Sequence, residues 1–269
     1  MINPIITLTS DYGSRDYFIS TIKASIYKEI ESVNVVDISH EITPFHLGEC
    51  AYILRNAYHH FPKGTIHLIG VDAGKKNERK NIMTKVDGHY FIGSDNGIFS
   101  LIFQNKKPEY VFEITVDDKS ESTFPMKDIF VKTACMFLRG VKIESLGTQI
   151  ESFVIKKHFL PNIINNNQSI HSKIIYIDRF GNSVTNISKM FFESVEENRN
   201  FSISLPRAYK INKICKNYSD VQEGSLLALF NSAGFLEISI NRLNTNEGGA
   251  NSLLGIKLGD NIIIDFINK

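Results

Sequence analysis

Three aspartates, Asp11, Asp37 and Asp72, stand at or near the ends of short apolar segments in the first part of the sequence. In open α/β sheets ligands bind at the carboxyl ends of the strands, so this placement can bring carboxylates together at a ligand. Aspartates also follow strands because they start turns and cap helices, and for each residue alone both interpretations stay open. Asp37, which is followed by the apolar Ile38, fits the structural interpretation best.

Arg79 lies seven residues beyond Asp72, on the far side of a short turn. A guanidinium group at this position can pair with the carboxylate, keep it ionised and orient it. A surface ion pair in a lysine-rich loop is an equally simple interpretation of the same spacing.

Three further segments combine glycine with side chains that can bind a ligand. Gly93–Gly97 is a dense turn signal whose backbone amides can cradle a ligand or merely reverse the chain. Asp178–Asn182 places an acid, an aromatic ring and an amide within five residues, which suits an amine, a purine ring and its hydrogen-bonding edge. Asn231–Gly234 stands between two apolar strands. Hairpin turns use the same residue types, so for each of these segments both ligand binding and simple reversal of the chain stay open.

The composition argues against several classes of function. With 30 basic and 29 acidic residues the net charge is +1, which provides no basic field for nucleic acid, and no apolar run is long enough to span a membrane. Dinucleotide and P-loop glycine motifs are absent, and the eight histidines lack the spacing of a zinc site, so we expect no metal. Three distant cysteines and an N-terminus without a signal-peptide pattern favour a soluble, cytoplasmic protein.

Strand-length apolar runs alternate with helix-like periodicities in the first half of the chain. Asp16 is the expected cap of the first helix, because apolar residues recur at three- and four-residue steps after it. Further helices are predicted over Leu47–Tyr58 and 128–138. The predicted strands are Ile5–Thr9, Val33–Ile38, Thr65–Asp72, His89–Gly93 and Tyr110–Ile114. This order predicts an α/β domain over residues 1–160, with a mainly parallel sheet flanked by helices.

A proline and a cluster of amides interrupt this pattern, and residues 161–171 are predicted to be an Asn-rich linker. Beyond it, short strands separated by turns continue along the chain. Residues 172–269 are therefore predicted to form a smaller, all-β, barrel-like domain.

Ordered motifs run along nearly the whole chain. In the first domain they are Ser10–Gly13 with Asp16–Phe18, Val36–His40 with Ile42–Phe45, Gly70–Asp72, Gly88–Gly93 and Asp95–Gly97. In the second they are Ile177–Asn182 with Thr185–Ile187, Asn231–Ile238 and Leu258–Asp260. In this order the motifs resemble those of the S-adenosylmethionine (SAM) hydroxide adenosyltransferase family, the SAM hydrolases, to which the bacterial fluorinase and chlorinase also belong.

The resemblance implies an N-terminal α/β domain, a C-terminal β-barrel domain and a homotrimer whose sites lie between one subunit's first domain and a neighbour's second. It implies hydrolysis of SAM to adenosine and L-methionine, by in-line attack of water or hydroxide on the ribose 5′-carbon as the sulfonium departs. Because the leaving group is already good, catalysis needs mainly an aligned nucleophile and the exclusion of competing water. SAM is the substrate, and no cofactor is implied.

The same resemblance assigns binding roles in the first domain. Asp11 matches the acid that grips the ribose hydroxyls, and Asp16 lies in the same ligand-facing turn. Phe45 matches an aromatic residue that lines the ribose and methionine region. Phe124, in the segment that precedes the third helix, completes this substrate-binding set.

In the second domain the resemblance assigns five more substrate-binding residues. Asp178 matches the acid that meets the methionine ammonium group, Phe180 the aromatic ring against adenine, and Asn182 the amide that reads the purine edge. Ser232 matches a serine that contacts methionine, and Glu237 falls in the strand that follows it.

The catalytic assignments are Asp72 and Arg79, which match two members of an Asp-Arg-His set that orients and activates water. Pro125 stands where the histidine of that set is expected, and Met126 stands where halogenating relatives have a small residue. Two alternatives follow: a halide-using, chlorinase-like SAM adenosyltransferase, and a noncatalytic trimer that binds SAM or adenosine.

Overall fold

The computed structural model describes residues 3–74, 79–115, 122–157, 159–243 and 248–267. The chain divides into two compact units, residues 1–158 and 159–269. The predicted α/β and barrel-like architectures are both confirmed, with differences in detail within each unit.

The first unit contains a seven-stranded sheet in the order β2-β1-β3-β5-β4-β6-β7. Its strands are β1 (Ile5–Ser10), β2 (Asn34–Ser39), β3 (Ile66–Gly70), β4 (Asn81–Val86), β5 (His89–Ser94), β6 (Tyr110–Ile114) and β7 (Gly147–Ile150). Its helices are α1 (Phe18–Glu29), α2 (Leu47–Tyr58), α3 (Ile98–Phe103) and α4 (Lys132–Leu138), and a π-helical turn, Met126–Val131, leads into α4.

The helices cover both faces of this sheet, because successive residues of a strand point to opposite sides. Leu68 of β3 lies in the apolar cluster of α1 and the π-helical turn, whereas its neighbour Ile69 lies in the cluster of α2 and α3. Burial on both faces explains the continuous apolar runs of the parallel strands. It also leaves the carboxyl ends of the strands as the place where polar side chains can meet.

The sheet is half parallel and half antiparallel rather than mainly parallel. The pairings β1–β2, β1–β3 and β3–β5 are parallel, whereas β4–β5, β4–β6 and β6–β7 are antiparallel. The direction changes at a two-residue turn of Asp87 and Gly88, which have φ angles of 53° and 79°. Positive φ at both central residues is what a tight hairpin needs, so β4 and β5 pair directly without a crossover helix.

The predicted capping role of Asp16 is wrong. Helix α1 begins at Phe18, and the residue before it, Tyr17, already has helical angles and makes no side-chain cap. Asp16 is therefore one residue too early to accept from the first turn, and it is exposed. The helix predicted over 128–138 instead begins at the π-helical turn, directly after Pro125. Proline suits that place because the first residues of a helix do not need their N–H groups.

The second unit is built on a nine-stranded, barrel-like sheet in the order β12-β11-β16-β9-β10-β15-β14-β13, with β8 paired to β9. Its strands are β8 (Asn162–Ile164), β9 (Ser169–Ile177), β10 (Ser183–Ser188), β11 (Asn200–Ser204), β12 (Lys210–Ile211), β13 (Ile214–Cys215), β14 (Leu226–Phe230), β15 (Phe235–Ile240) and β16 (Asn261–Ile267). Two helices, α5 (Lys189–Glu196) and α6 (Ala250–Leu254), make the unit mostly rather than entirely β.

The Asn-rich segment forms a hairpin rather than a plain linker. Strand β8 pairs with β9, and the turn between them contains Asn165, Asn166 and Asn167, all with positive φ. Asparagine tolerates this left-handed conformation better than most residues. The amide cluster that suggested an exposed connection therefore makes a turn inside the second unit.

The described ranges of the chain contain no helix with both the length and the apolar character needed to cross a bilayer. The three cysteines are buried as free thiols, and the cytoplasmic location stays a prediction.

A buried pair of histidines predicts how stability depends on pH. His67 is fully buried in β3, with Nδ1 2.7 Å from Thr7 Oγ1 and Nε2 3.3 Å from His89 Nδ1. Burial, and to a lesser extent His89, lowers the pKa of His67 to about 3, and burial lowers the pKa of His89 as well. The unfolded chain therefore binds more protons below the ordinary histidine pKa of about 6.5.

We expect the stabilisation from neutral His67 and His89 to be complete above about pH 6.5 and to fall as the pH is lowered from there. The slope approaches about 1.4 kcal/mol per pH unit for each proton taken up on unfolding. Denaturant unfolding at several pH values between 7.5 and 5 measures how the free energy of unfolding depends on pH. We expect a shallower dependence in His67→Asn. The control is His171→Asn, because His171 is exposed. Equal slopes in the wild type and His67→Asn would contradict the assignment.

Candidate active site

Asp11 lies at the carboxyl edge of the sheet and ties two neighbouring loops together. It follows β1 directly, and Ser10 stands opposite Gly70 at the end of the parallel strand β3. Asp11 Oδ2 accepts hydrogen bonds from the backbone N–H of Phe45, at 2.9 Å, and of Asp72, at 3.2 Å. Asp11 Oδ1 takes part in neither bond, so this oxygen can accept from a ligand.

Asp72 and Arg79 are brought together at the same edge. Arg79 Nη2 lies 3.1 Å from Asp72 Oδ2, and Arg79 Nη1 donates to the Asp72 carbonyl at 2.6 Å. The side chains of Asp72 and Arg79 are only 13% and 15% exposed, so this is not the surface ion pair of the simpler interpretation. Two bonds from one guanidinium fix both the carboxylate and the backbone that carries it.

The backbone of Asp72 is held in an uncommon conformation. Its φ angle is 45°, in the left-handed region that non-glycine residues rarely adopt. Asn96 Nδ2 donates to the carbonyls of Val71, at 3.0 Å, and Asp72, at 3.2 Å. Backbone strain of this kind persists where neighbouring groups over-determine it, and it is concentrated at functional sites.

The Gly93–Gly97 turn therefore supports the Asp72 loop. Besides the bonds from Asn96, Ser94 Oγ donates to the Ala73 carbonyl at 3.1 Å. Asp95 Oδ1 accepts from the Val154 N–H at 2.8 Å, and burial raises the pKa of Asp95. Sequence reasoning found this turn but did not identify Asn96 as the residue that holds the carbonyls beside Asp72.

A second polar group, missed by sequence reasoning, holds the turn that carries Asp11. His40 Nδ1 lies 2.7 Å from Ser10 Oγ, and the His40 carbonyl accepts from the Gly13 N–H at 2.8 Å. His40 Nε2 is 3.1 Å from Asp37 Oδ1, without hydrogen-bond alignment. The sequence feature that could have indicated this contact is His40, the last residue of the Val36–His40 motif.

Asp37 is structural, as its position inside an apolar run indicated. Burial acts to raise the pKa of this carboxyl group, but the hydrogen bond from Lys23 and the contact with His40 outweigh it and lower the pKa. Lys23 Nζ lies 2.5 Å from Asp37 Oδ2. Asp37 therefore anchors α1 and His40 behind the candidate site.

Aromatic rings line the approach to Asp11. The Phe124 ring lies 5.4 Å from the rings of both Tyr12 and Phe18, so part of Phe124 is used in packing. Phe45, with a φ angle of 67°, is 71% exposed in the single chain, and the carboxylate of Asp16 is exposed as well. Of these two exposed residues Phe45 contacts Asp11, through its backbone N–H, and neither belongs to the apolar clusters of the first unit.

In the second unit Asp178 organises the turn between β9 and β10. Asp178 Oδ1 accepts from the N–H of Phe180, at 2.8 Å, and of Asn182, at 2.9 Å, while Oδ2 accepts from Asn182 Nδ2 at 2.9 Å. Three of about four acceptor positions of this carboxylate are thus used within its own turn. The result is a buried Asn182 amide and a Phe180 ring that is 60% exposed.

Glu237 holds the second of the predicted turns, Asn231–Gly234. It is only 3% exposed and accepts from Tyr218 Oη, Ser239 Oγ and Asn231 Nδ2, at 2.8, 2.7 and 3.1 Å. Asn231 in turn accepts from the N–H groups of Ala233 and Phe235. Glu237 thus fixes the turn that exposes Ser232 and does not itself face solvent.

The two turns of the second unit lie at opposite ends of one strand. Ser183, which follows the Asp178–Asn182 turn, pairs with Ile238, whereas Ser188 at the other end pairs with Phe235. The Gly234 carbonyl accepts from the N–H of Lys189, next to Ser188. The same interval takes only three residue steps in β15, because β10 is bulged, so the turns lie about 10 Å apart along the strand. One small group cannot touch both, so only an extended ligand can.

Among the described residues no three His, Cys, Asp or Glu side chains are grouped in a way that could hold a metal ion. The polar groups at the Asp11 edge are instead two carboxylates, one guanidinium and backbone N–H groups. This set can bind hydroxyl groups and orient a water molecule.

Comparisons with known proteins agree with the resemblance drawn from the motifs. Residues 6–147 match the SAM hydroxide adenosyltransferase N-terminal domain, and residues 172–263 match the C-terminal domain of the same family. The (R)-S-adenosyl-L-methionine hydrolase of Methanocaldococcus jannaschii is 29% identical over 87% of this chain and 88% of its own. A fluorinase of Actinopolyspora mzabensis is 21% identical over 88% of this chain and 91% of its own.

Among solved structures, the crystal structure of an uncharacterized conserved protein from Thermotoga maritima is similar throughout. The TM-score is 0.84 at 28% sequence identity, and the similarity covers 97% of this chain and 99% of the other. The similarity therefore extends over both units and is not limited to one of them.

Proposed function

The chain belongs to the SAM hydroxide adenosyltransferase family, and from that premise we propose that it hydrolyses SAM to adenosine and L-methionine. The observation that carries the proposal is the juxtaposition of Asp11 with the Asp72–Arg79 pair at one edge of the sheet. One carboxylate there binds the ribose, and the other orients water. Water attacks C5′, the C5′–S bond breaks with its electron pair going to sulfur, and one proton is released to solvent.

Asp11 binds the ribose diol in this scheme. Its Oδ2 is held by the two backbone N–H groups, so Oδ1 points its lone pairs at the hydroxyl hydrogens. The bond to the Asp72 N–H also couples the ribose-binding carboxylate to the water-orienting loop. The position of C5′ relative to the water therefore depends on both aspartates.

Asp72 holds the attacking water, and Arg79 holds Asp72. The ion pair with Arg79 orients the Asp72 carboxylate, which accepts a hydrogen bond from water. A water with one O–H directed to Asp72 presents a lone pair to C5′. This orientation supplies catalysis without a histidine, because the sulfonium already leaves readily.

The second unit recognises the two ends of an extended SAM molecule. The exposed Phe180 ring and the buried Asn182 amide suit stacking and edge recognition of adenine. Ser232, at the opposite end of β10, suits the methionine part. Asp178, whose oxygens mostly hold its own turn, acts mainly by shaping the adenine end.

The assembly belonging to this function is a homotrimer in which the first domain of one copy and the second domain of a neighbouring copy complete each site. Phe45 and Phe180 support this assembly, because both are large aromatic rings left exposed in the single chain. Light scattering should give three chains per particle. A monomer with full activity would overturn the shared site.

The experiment that tests the proposal follows adenosine and methionine by mass spectrometry after incubation with SAM in chloride-free buffer. An Asp72→Ala variant is the control. Adenosine and methionine in equal amounts, and dependent on Asp72, are the expected result. Binding of SAM without any product would favour the noncatalytic binder, for which the apolar Pro125 is the supporting observation.

A parallel incubation with added chloride tests the halide-using alternative. Met126 is fully buried, and its Sδ lies so close to Gly70 that a Cβ there would collide with it. The space where a small residue would admit a halide is thus filled. We expect no 5′-chloro-5′-deoxyadenosine, and its appearance would move the assignment to a halide-using enzyme.

A further inference from the structure

Tyr12 places a phenol at the same strand edge as Asp11 and Asp72. It follows Asp11 directly, and its Oη would lie 3.2 Å from a Cβ built on Gly70, the last residue of β3. Asp72 comes two residues after Gly70. The hydroxyl therefore lies beside the carboxyl end of β3, the strand that leads into the Asp72 loop.

The Tyr12 ring is held firmly while its hydroxyl has no hydrogen-bonding partner among the described residues. The ring contacts Phe18 and Phe124, with centroid distances of 5.7 and 5.4 Å. Tyr58, elsewhere in the same unit, shows the ordinary arrangement: its Oη donates to Asp87 and accepts from Lys106. The Tyr12 hydroxyl is not among the buried polar atoms that lack a partner, so it is open to solvent and can bond a water molecule.

The phenol of Tyr12 stays protonated. Burial raises its pKa, and the negative charge of Asp11 raises it further. Tyr12 therefore has one O–H to donate and lone pairs to accept with, but it cannot act as a base at neutral pH. Any contribution must come from hydrogen bonding to a group at the strand edge.

We propose that Tyr12 is a catalytic residue whose hydroxyl hydrogen-bonds the water that attacks C5′, on the opposite side from Asp72. This inference rests on the proposed hydrolysis. Two hydrogen-bonding groups fix the direction of the water's free lone pair, whereas one group leaves it free to rotate. Tyr12 is unchanged by the reaction, since the proton of the water leaves to solvent as the C5′–O bond forms.

The test is Tyr12→Phe, which removes only the hydroxyl and keeps the ring contacts with Phe18 and Phe124. Tyr27→Phe, on the exposed part of α1, is the matched control. We expect Tyr12→Phe to lower kcat about tenfold, the effect of one lost hydrogen bond. KM, the affinity for adenosine by calorimetry and the unfolding temperature should stay within error of the control.

Other outcomes decide against the proposal in distinguishable ways. An unchanged kcat in Tyr12→Phe, with an active wild type, would overturn the role of Tyr12 and leave the hydrolysis intact. A higher KM with unchanged kcat would assign the hydroxyl to substrate binding and overturn its contact with water. A wild type that binds adenosine but forms no product would overturn both proposals together.

Discussion

Replacing Asp11 by alanine is expected to lower the affinity for SAM and for adenosine by at least about a hundredfold. The variant loses the ribose contact and also the acceptor that holds the N–H groups of Phe45 and Asp72. Hydrogen bonds to a charged group contribute about 1.5–3 kcal/mol each, so two lost bonds correspond to about two to four powers of ten. Calorimetric titration with adenosine measures the loss without turnover.

Asp11→Asn separates the two roles of this side chain. The amide oxygen can still accept from both backbone N–H groups, whereas the amide nitrogen cannot accept from the ribose. We expect a loss of affinity of about tenfold for Asn and a larger loss for Ala. Asp87→Asn, at a surface pair with Lys106, is the control and should bind as the wild type does. Equal affinities of Asp11→Ala and the wild type would rule out Asp11 as the ribose ligand.

Replacing Asp72 by asparagine is expected to lower kcat about a hundredfold while the affinity for adenosine changes less than about twofold. The loop should keep its shape, because Arg79 Nη1 and Asn96 Nδ2 hold the carbonyl of Asp72 and not its carboxylate. What is lost is the charged acceptor for the water, a contribution of about 10²–10⁴ in typical enzymes. Single-turnover measurement of adenosine formation tests this separation of binding from chemistry.

Arg79→Lys should reproduce part of this loss, since lysine cannot bond the carboxylate and the carbonyl with one planar group. Arg139→Lys is a matched control, because Arg139 also pairs with a carboxylate, Glu29, but in an exposed position. Comparable losses of adenosine affinity in Asp11→Ala and Asp72→Asn would contradict the division of roles between the two aspartates.

Periodicity in the sequence predicted those helices and strands whose conformation depends mainly on their own residues. Helix α2 and strand β6 have the predicted bounds, because their periodicity and length leave little choice of conformation. The spacing of Asp72 and Arg79 likewise predicted a pair that the structure contains, since only six residues separate them in the sequence. Where a pattern had two physical meanings, as with the asparagines at 165–167, the sequence did not decide between them.

Contacts between distant parts of the chain were not predictable in the same way. Ser10 and His40 are 30 residues apart, and Asp95 and Val154 are 59 apart. Neither pair has a local signature, because each depends on which strands become neighbours and in what register. The reversal of direction between β4 and β5 is different, since it lies at the local Asp87–Gly88 turn, a residue pair that favours a tight hairpin.

The sequence by itself determined the two-domain α/β and barrel-like architecture, the family, and the identity of the candidate residues, because ordered motifs and periodicities are properties of the chain. Only the tertiary structure decided what those residues touch. It turned Asp178 and Glu237 into supports of their own turns, separated Ser232 from Phe180 along β10, and set the Tyr12 hydroxyl over the end of β3. The physical reason is that burial and hydrogen bonding depend on strand order and register, which residue types alone do not specify.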